Sequence, residues 1–419
     1  MSQGENMIIC QSGGPTAVIN ASLVGAYHKA VETEKIDHIY GGFNGIMGVL
    51  KEELIDLNQQ QERTMEGIKF TPSSALGSSR YKLAPNLDHD DYDRIFEVFD
   101  AHDIGYFFYN GGNDSMDTAM KLNQYAEEIG YDINIIGIPK TIDNDLMGTD
   151  NCPGFGSAAK YINTSILEAA YDCHTYSRDT ILIMETMGRH SGWLAASTAL
   201  ATHKGERIPD LIYLPEVPFD LDKFIEEVRE IYQEQRMVFL TVSEGIVDNK
   251  GKFISARQSE ASDQFGHKNL GGVSLYLQGV IEENICDRVK IINPGILQRS
   301  AAHCASKTDL DEAYWAGYRG VDFARKGYSG FMAAIKRNSN KPFQWQIDLI
   351  PLDKVANKEK QIPKKWINSQ GNYITQEAID YMKPLIQGNV HGPAWEGLPR
   401  YFTLEQNFIS KKLKKWSKD

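Results

Sequence analysis

The chain has 419 residues, with 44 basic against 56 acidic side chains and a formal net charge of −12. That length can bury a large core, and domains of about 100–200 residues point to two of them. The acidic balance argues against a nucleic-acid surface while leaving room for a basic pocket that holds anions.

Met7–Cys10 reads as a first strand, and after Gly13-Gly14 the residues Ile19, Leu23, Ala26 and Ala30 recur at helical spacing. Ile104–Tyr109 is a second strand, followed by a helix through Ala119, Leu122 and Ala126. A third strand, Ile133–Ile138, precedes a helix marked by Ala159, Ile162, Ile166 and Ala169, and Thr180–Met184 is the next strand. The pattern continues through a strand at Leu211–Leu214, a helix with Leu221, Phe224, Val228 and Ile231 on one face, a strand at Met237–Val242, a helix near Val273, Leu277 and Val280, and Val289–Ile292. Apolar strands alternating with amphipathic helices predict an α/β protein with mainly parallel sheets covered on both faces. Two doubly wound lobes are expected, the first closing near residue 155, with the active site in the cleft between them at the strand carboxyl ends. The Lys-rich stretch from Lys411 to Asp419, with Trp416, is read as a solvated terminal helix end.

Five scattered cysteines (Cys10, Cys152, Cys173, Cys286 and Cys304) fit a reducing cytosol better than a disulfide framework. The amino terminus shows no basic-then-apolar leader and no apolar run is long enough to span a bilayer. A cytoplasmic protein with no membrane or nucleic-acid partner is the expectation.

The chemistry concentrates after the strands. Gln11-Ser12-Gly13-Gly14-Pro15-Thr16 is a glycine turn between strand and helix, where backbone amides can approach a phosphate. A Walker A loop is absent, so any phosphate grip is of another type. Gly111-Gly112-Asn113-Asp114-Ser115 is a second such turn carrying a carboxylate. A carboxylate beside a phosphate repels it unless a cation intervenes, so phosphate binding here implies Mg²⁺; otherwise Asp114 and Ser115 are ordinary helix-capping residues. The strongest segment is Lys140-Thr141-Ile142-Asp143-Asn144-Asp145. Phosphoryl transfer to a sugar hydroxyl needs a base, worth about 10²–10⁴ in rate, and a cation for the moving group; Asp143 and Lys140 supply them. Met187-Gly188-Arg189, Ser243-Glu244-Gly245, Arg80 and Arg299 are further anion or sugar contacts, each unremarkable alone, and His190 is read as structural. Gly154-Phe155-Gly156 imitates a dinucleotide fingerprint but follows a polar loop, so it is rejected as a nicotinamide site.

Taken together, Gly13-Gly14, Leu76–Arg80, Gly111–Ser115, Pro139–Asp145, Met187–Arg189, Ser243–Gly245 and Gln298-Arg299 resemble, in order, the motifs of the phosphofructokinase family, over about Met7 to Phe331. The resemblance implies a donor-binding lobe at 1–155 plus about 300–350, a sugar-phosphate lobe at 156–299, and a C-terminal helical extension at 351–419 packing on both. It implies that Gly14, Arg80, Gly112 and Ser115 hold the phosphoryl donor, and that Asp143 is the base for the C1 hydroxyl of fructose 6-phosphate, with Lys140 and Asp114 beside it. Thr141, Met187, Gly188, Arg189, Glu244 and Arg299 match the sugar-phosphate pocket, and Asn113 and Asp145 the Mg²⁺ region. ATP-using relatives have glycine at the positions of Asp114 and Lys140. Like charges ~4 Å apart at an effective dielectric near 20 repel by roughly 4 kcal/mol, about a thousandfold in affinity. Asp114 therefore disfavours ATP and Lys140 favours pyrophosphate, which places the chain in the pyrophosphate-dependent class.

The chain departs from the family pattern at Asn113, where Asp is common, at Ile296, where relatives carry His or Tyr, and at Thr180, where the ATP class has an Arg from the neighbouring subunit. Arg178 or Lys290 is available to compensate. The rival readings are an ATP-dependent phosphofructokinase and a non-catalytic regulatory subunit of the same fold; the second would be expected to have lost Asp143. A nucleotide-cofactor kinase shares the glycine-glycine-acid turn but gives no reason for the Lys140 loop. The family usually assembles, so a homodimer is expected, and sedoheptulose 7-phosphate would suit similar chemistry.

Overall fold

The computed structural model describes residues 5–254 and 272–417. In chain order the first lobe begins with β1 (Asn6–Gln11), α1 (Ile19–Val31), β2 (Ile39–Gly42), α2 (Ile46–Leu50), β3 (Leu54–Asp56), α3 (Glu62–Ile68), α4 (Asp90–Ala101), β4 (Ile104–Gly111), α5 (Asn113–Ile129) and β5 (Asn134–Pro139). There follow α6 (Phe155–His174), β6 (Thr180–Thr186), α7 (Trp193–Ser197), a small ribbon of β7 (Thr202–His203) and β8 (Glu206–Arg207), β9 (Leu211–Tyr213), α8 (Leu221–Gln235), β10 (Met237–Ser243), α9 (Val273–Asn284) and β11 (Val289–Ile292). After α10 (Leu297–Ser300) and α11 (Lys307–Arg325), the hairpin of β12 (Phe331–Asn340) and β13 (Phe343–Pro351) returns to the first sheet.

The large sheet has seven strands in the order β13-β12-β5-β4-β1-β2-β3. Its interior pairs are parallel, while β2–β3 and β12–β13 are antiparallel at the two edges. The smaller sheet, β11-β6-β10-β9, is wholly parallel. Two-faced burial explains the strand composition. Ile8 and Cys10 of β1 and Phe107 and Tyr109 of β4 face one core. Met7, Ile9, Tyr106 and Phe108 face the other. With period 2 along a strand and helices on both sides, every position must be apolar. The second face is closed by α1 against α11, which cross closely enough that a Cβ on Gly25 would lie 2.0 Å from the Tyr314 carbonyl oxygen and one on Gly317 1.9 Å from that of Ser22.

Between α1 and β4, where the sequence reading names no element, the chain holds two strands and three helices; all but the 12-residue α4 are seven residues or shorter and leave little periodicity. Two sequence readings need correction. The C-terminal extension is scarcely helical: among its described residues, α12 (Gln376–Met382) is the only α-helix, accompanied by short 3₁₀ turns and a two-residue ribbon, β14 (Ala394–Trp395) and β15 (Leu398–Pro399). Lys411 to Ser417 form no helix, and Trp416 packs on the first core rather than lying in solvent.

Buried Glu52 ties this tail down. Its carboxylate accepts the Lys412 and Leu413 backbone N–H groups at 2.5 and 3.2 Å, meets His102 Nε2 at 2.8 Å, and lies 3.8 Å from Arg94. Burial alone would raise its pKa, but these donors outweigh burial and hold it below the ordinary glutamate value. Glu52→Ala is expected to destabilise the protein by about 3–5 kcal/mol, because His102, Arg94 and two amides lose their common acceptor. An unchanged midpoint of urea unfolding would contradict this.

Candidate active site

Parallel strands deliver their carboxyl ends to one edge, and the site is assembled there. The turn after β1 brings Ser12 to Thr16, β4 leads to Gly112–Ser115, β5 to Lys140–Asp145, β6 to Met187–Ser191 and β10 to Glu244. With Arg299 from α10 they line one cavity of about 690 Å³. Of the residues singled out above, Gly14, Arg80, Gly112, Asn113, Asp114, Ser115, Lys140, Thr141, Asp143, Asp145, Met187, Arg189, Glu244 and Arg299 all line it. Gly188 contributes behind the wall, its N–H donating to Glu244 Oε1 at 3.4 Å. Thr180 sits at the opposite, amino end of β6, while exposed Ile296 precedes α10. Lys290 pairs with Asp172 at 3.0 Å instead of entering the cavity.

Backbone amides and a buried lysine hold the Lys140–Asp145 loop. Asn144, fully buried with φ of 52°, accepts the Cys152 N–H at 3.0 Å, and this left-handed turn sets Asp143 and Asp145 on either side of it. The Asp143 N–H donates to Thr141 Oγ1 at 3.1 Å. Lys140 Nζ, almost wholly buried, donates to the Gly14 carbonyl at 2.6 Å, joining the β5 loop to the first glycine turn.

Burial and mutual charge set the protonation states. Asp143 is raised from 3.8 to about 7, first by burial and then by neighbouring Asp145 and Glu244. Lys140 is lowered from 10.5 to about 8 by burial, partly offset by Asp143. Burial also raises Asp145, with Glu359 adding to the effect, and raises Glu244. Arg299 is lowered by burial and by Arg80 across the cleft. A carboxylate and an ammonium both brought close to neutrality can exchange protons with a hydroxyl at little cost.

Several lining residues were not anticipated. Lys82 Nζ lies 3.8 Å from Asp114, whose side chain is 38% exposed. This moderates the repulsion argued from sequence, since solvent and an adjacent cation both screen the carboxylate. The Arg-Tyr-Lys run at 80–82 carried that signal. Asn357 and Glu359 reach the cavity from the C-terminal region, Glu359 meeting His190 Nδ1 at 3.0 Å. Nothing periodic marks that segment. The rejected glycine motif is also accounted for: the Gly154 and Ser157 amides opening α6 both donate to the Asp309 carboxylate at 2.9 Å, so the chain's own anion occupies that helix end.

A family model described as phosphofructokinase matches residues 6–324. The chain belongs to the phosphofructokinase family. Within this family it is 43% identical over 413 residues, 97% of this chain and 98% of the relative, to a pyrophosphate–fructose 6-phosphate 1-phosphotransferase of Methylococcus capsulatus. A sulfofructose kinase of Alkalicoccus urumqiensis is 33% identical over 371 residues, 87% of this chain and 92% of the relative. The crystal structure of a pyrophosphate-dependent phosphofructokinase from Nitrosospira multiformis superposes with a TM-score of 0.91 at 41% identity, covering 99% of this chain and all of that one. The two-sheet arrangement is thus that of phosphofructokinases, as the sequence motifs implied.

Proposed function

We propose that the chain catalyses reversible phosphoryl transfer from pyrophosphate to the C1 hydroxyl of fructose 6-phosphate, giving fructose 1,6-bisphosphate and phosphate. The observation that carries this reading is the meeting of half-buried Asp143 and buried Lys140 with Asp114 in one cavity. Asp143 takes the hydroxyl proton as the sugar oxygen bonds to phosphorus and the bridging P–O bond of pyrophosphate breaks, releasing inorganic phosphate. Lys140 offsets charge on the transferring group, and Gly14, Arg80, Gly112 and Ser115 hold the donor. Thr141, Met187, Gly188, Arg189, Glu244 and Arg299 hold and orient the sugar phosphate. On this account residues 1–155 with about 300–350 form the donor lobe, 156–299 the sugar-phosphate lobe, and 351–419 an extension packed on both.

Mg²⁺ fits beside Asn113 and Asp145. Both side-chain heteroatoms of Asn113 are buried without a hydrogen-bond partner meeting ordinary geometry, yet the amide lies close enough to favour the Asp145 carboxylate. Among the described residues no trio of His, Cys, Asp or Glu forms a metal cluster, which suits an ion taking most ligands from water and phosphate. When bound it would neutralise the donor's oxygens. No helix among the described residues is long and apolar enough to cross a membrane, and we place the enzyme in the cytoplasm as a homodimer.

A coupled assay comparing pyrophosphate with ATP, and fructose 6-phosphate with sulfofructose, tests the reading. Turnover with pyrophosphate and fructose 6-phosphate is expected in both directions. Turnover with ATP alone would replace the donor, and none with either would mark a regulatory chain.

A further inference from the structure

The residues from Arg400 to Ser417 form a strap along the first lobe. Its Phe402 N–H donates to Thr71 Oγ1 at 3.0 Å, Gln60 exchanges two bonds with the Glu405 backbone at 2.8 and 2.9 Å, and Ile409 N–H donates to the Leu54 carbonyl at 3.0 Å. The strap thereby covers β3, the edge of the large sheet, whose unpaired backbone would otherwise face solvent. Farther on, Glu52 grips Lys412 and Leu413, and Arg94 donates to the Lys414 carbonyl at 3.0 Å. Trp416 then meets Tyr81 edge to face, with ring centroids 6.4 Å apart and planes at 84°.

Tyr81 is the middle of a cavity-lining segment, Arg80-Tyr81-Lys82, that has no regular secondary structure. Its hydroxyl donates to Asp91 Oδ2 at 2.5 Å, and Asp91 is buried in the first turn of α4. The ring is therefore fixed from two sides, by α4 through its oxygen and by the strap through its face. The flanking side chains point their charge into the donor half: Lys82 toward Asp114 and Arg80 near Arg299. Long cationic side chains on an irregular segment lose much freedom on binding an anion, and prior fixing of the backbone reduces that loss.

We propose that Trp416 is a positioning residue for the phosphoryl donor, acting through Tyr81 to present Arg80 and Lys82 to pyrophosphate. The inference rests on the donor reading above. Trp416→Ala is expected to raise KM for pyrophosphate by about three- to tenfold, the range of one aromatic pair, with kcat and KM for fructose 6-phosphate unchanged. Trp416→Phe should restore the native KM. A chain ending at Lys415 should repeat the alanine result, and serves if the alanine variant folds poorly. An unchanged donor KM, or equal changes for both substrates, overturns the proposal. If the wild type proves to use ATP alone, the donor reading fails by itself; the same variants measured against ATP then still decide the role of Trp416.

Discussion

Asp143→Asn is expected to lower kcat by about 10²–10⁴, the span of a lost general base, while KM for both substrates changes little because the amide fills the same space. The pH profile should change in shape as well as height. In the free enzyme Asp143 titrates at about 7 and Lys140 at about 8. The carboxylate must be unprotonated and the ammonium protonated, so kcat/KM should rise to about 7 and fall beyond about 8, a narrow bell. The variant should lose the acid limb and keep the alkaline one. Retention of the full bell would assign the base to another residue, and Asp145 would be the next to replace.

The same substitution should stabilise the fold. A carboxyl whose folded pKa is raised above its unfolded value binds more protons in the folded state between those values. Stability therefore falls as pH climbs from about 4 to about 7. At 1.36 kcal/mol per unit the full penalty is about 4 kcal/mol, and the variant recovers only part of it because Lys140 loses a favourable neighbour. A melting temperature higher by a few degrees at pH 7.5, with little difference at pH 4, is the expected result. Crowding Asp143, Asp145 and Glu244 into one half-buried cavity wall costs the protein stability, a trade expected where such groups serve a reaction.

The parts of this protein legible in its sequence are those with strong local periodicity or sharp punctuation. Ile104–Tyr109 and Met237–Val242 agree with the structure to within two residues, because strands buried on both faces read as apolar runs; Val289–Ile292 agrees to the residue although it is a half-exposed edge strand that includes Lys290. The site was legible for a related reason: in parallel sheets the chemistry follows strand ends, so Lys140–Asp145 and Met187–Arg189 announced themselves by position. What stayed hidden depended on distant partners. Lys82 gains meaning only from Asp114 across the cleft. Glu359 reaches the cavity because its backbone bridges to Leu146 and the next residue's N–H donates to the Asp145 carbonyl at 2.6 Å. The tail from Lys411 looked like a helix end because lysines are good helix formers, yet tertiary acceptors such as Glu52 hold it extended.

Asp114→Gly combined with Lys140→Gly is expected to shift donor use, and the two changes should act by different routes. Lys140 is 2% exposed and close to Asp143, so its loss removes a desolvated charge from the transferring group. The expected fall in pyrophosphate kcat is about 10²–10³, comparable with deleting one preorganised electrostatic donor. Because Lys140 also lowers the Asp143 pKa, the acid limb of the pH profile should move upward in Lys140→Gly. Asp114→Gly alone should do less. Its carboxylate is partly solvated and faces Lys82 at 3.8 Å, so the 4 kcal/mol repulsion is an upper bound, and relief of roughly 1–2 kcal/mol, about five- to thirtyfold in ATP affinity, is the reasonable scale. Freed from its partner, Lys82 becomes an extra cation for a nucleotide's phosphates. The double variant should consequently bind ATP measurably and use pyrophosphate at least a hundredfold less well, whereas Asp114→Gly with Lys82→Ala should lose most of the gain in ATP affinity. A double variant that kept wild-type pyrophosphate turnover and still ignored ATP would show that donor choice is made by the shape of the cavity and not by these two charges.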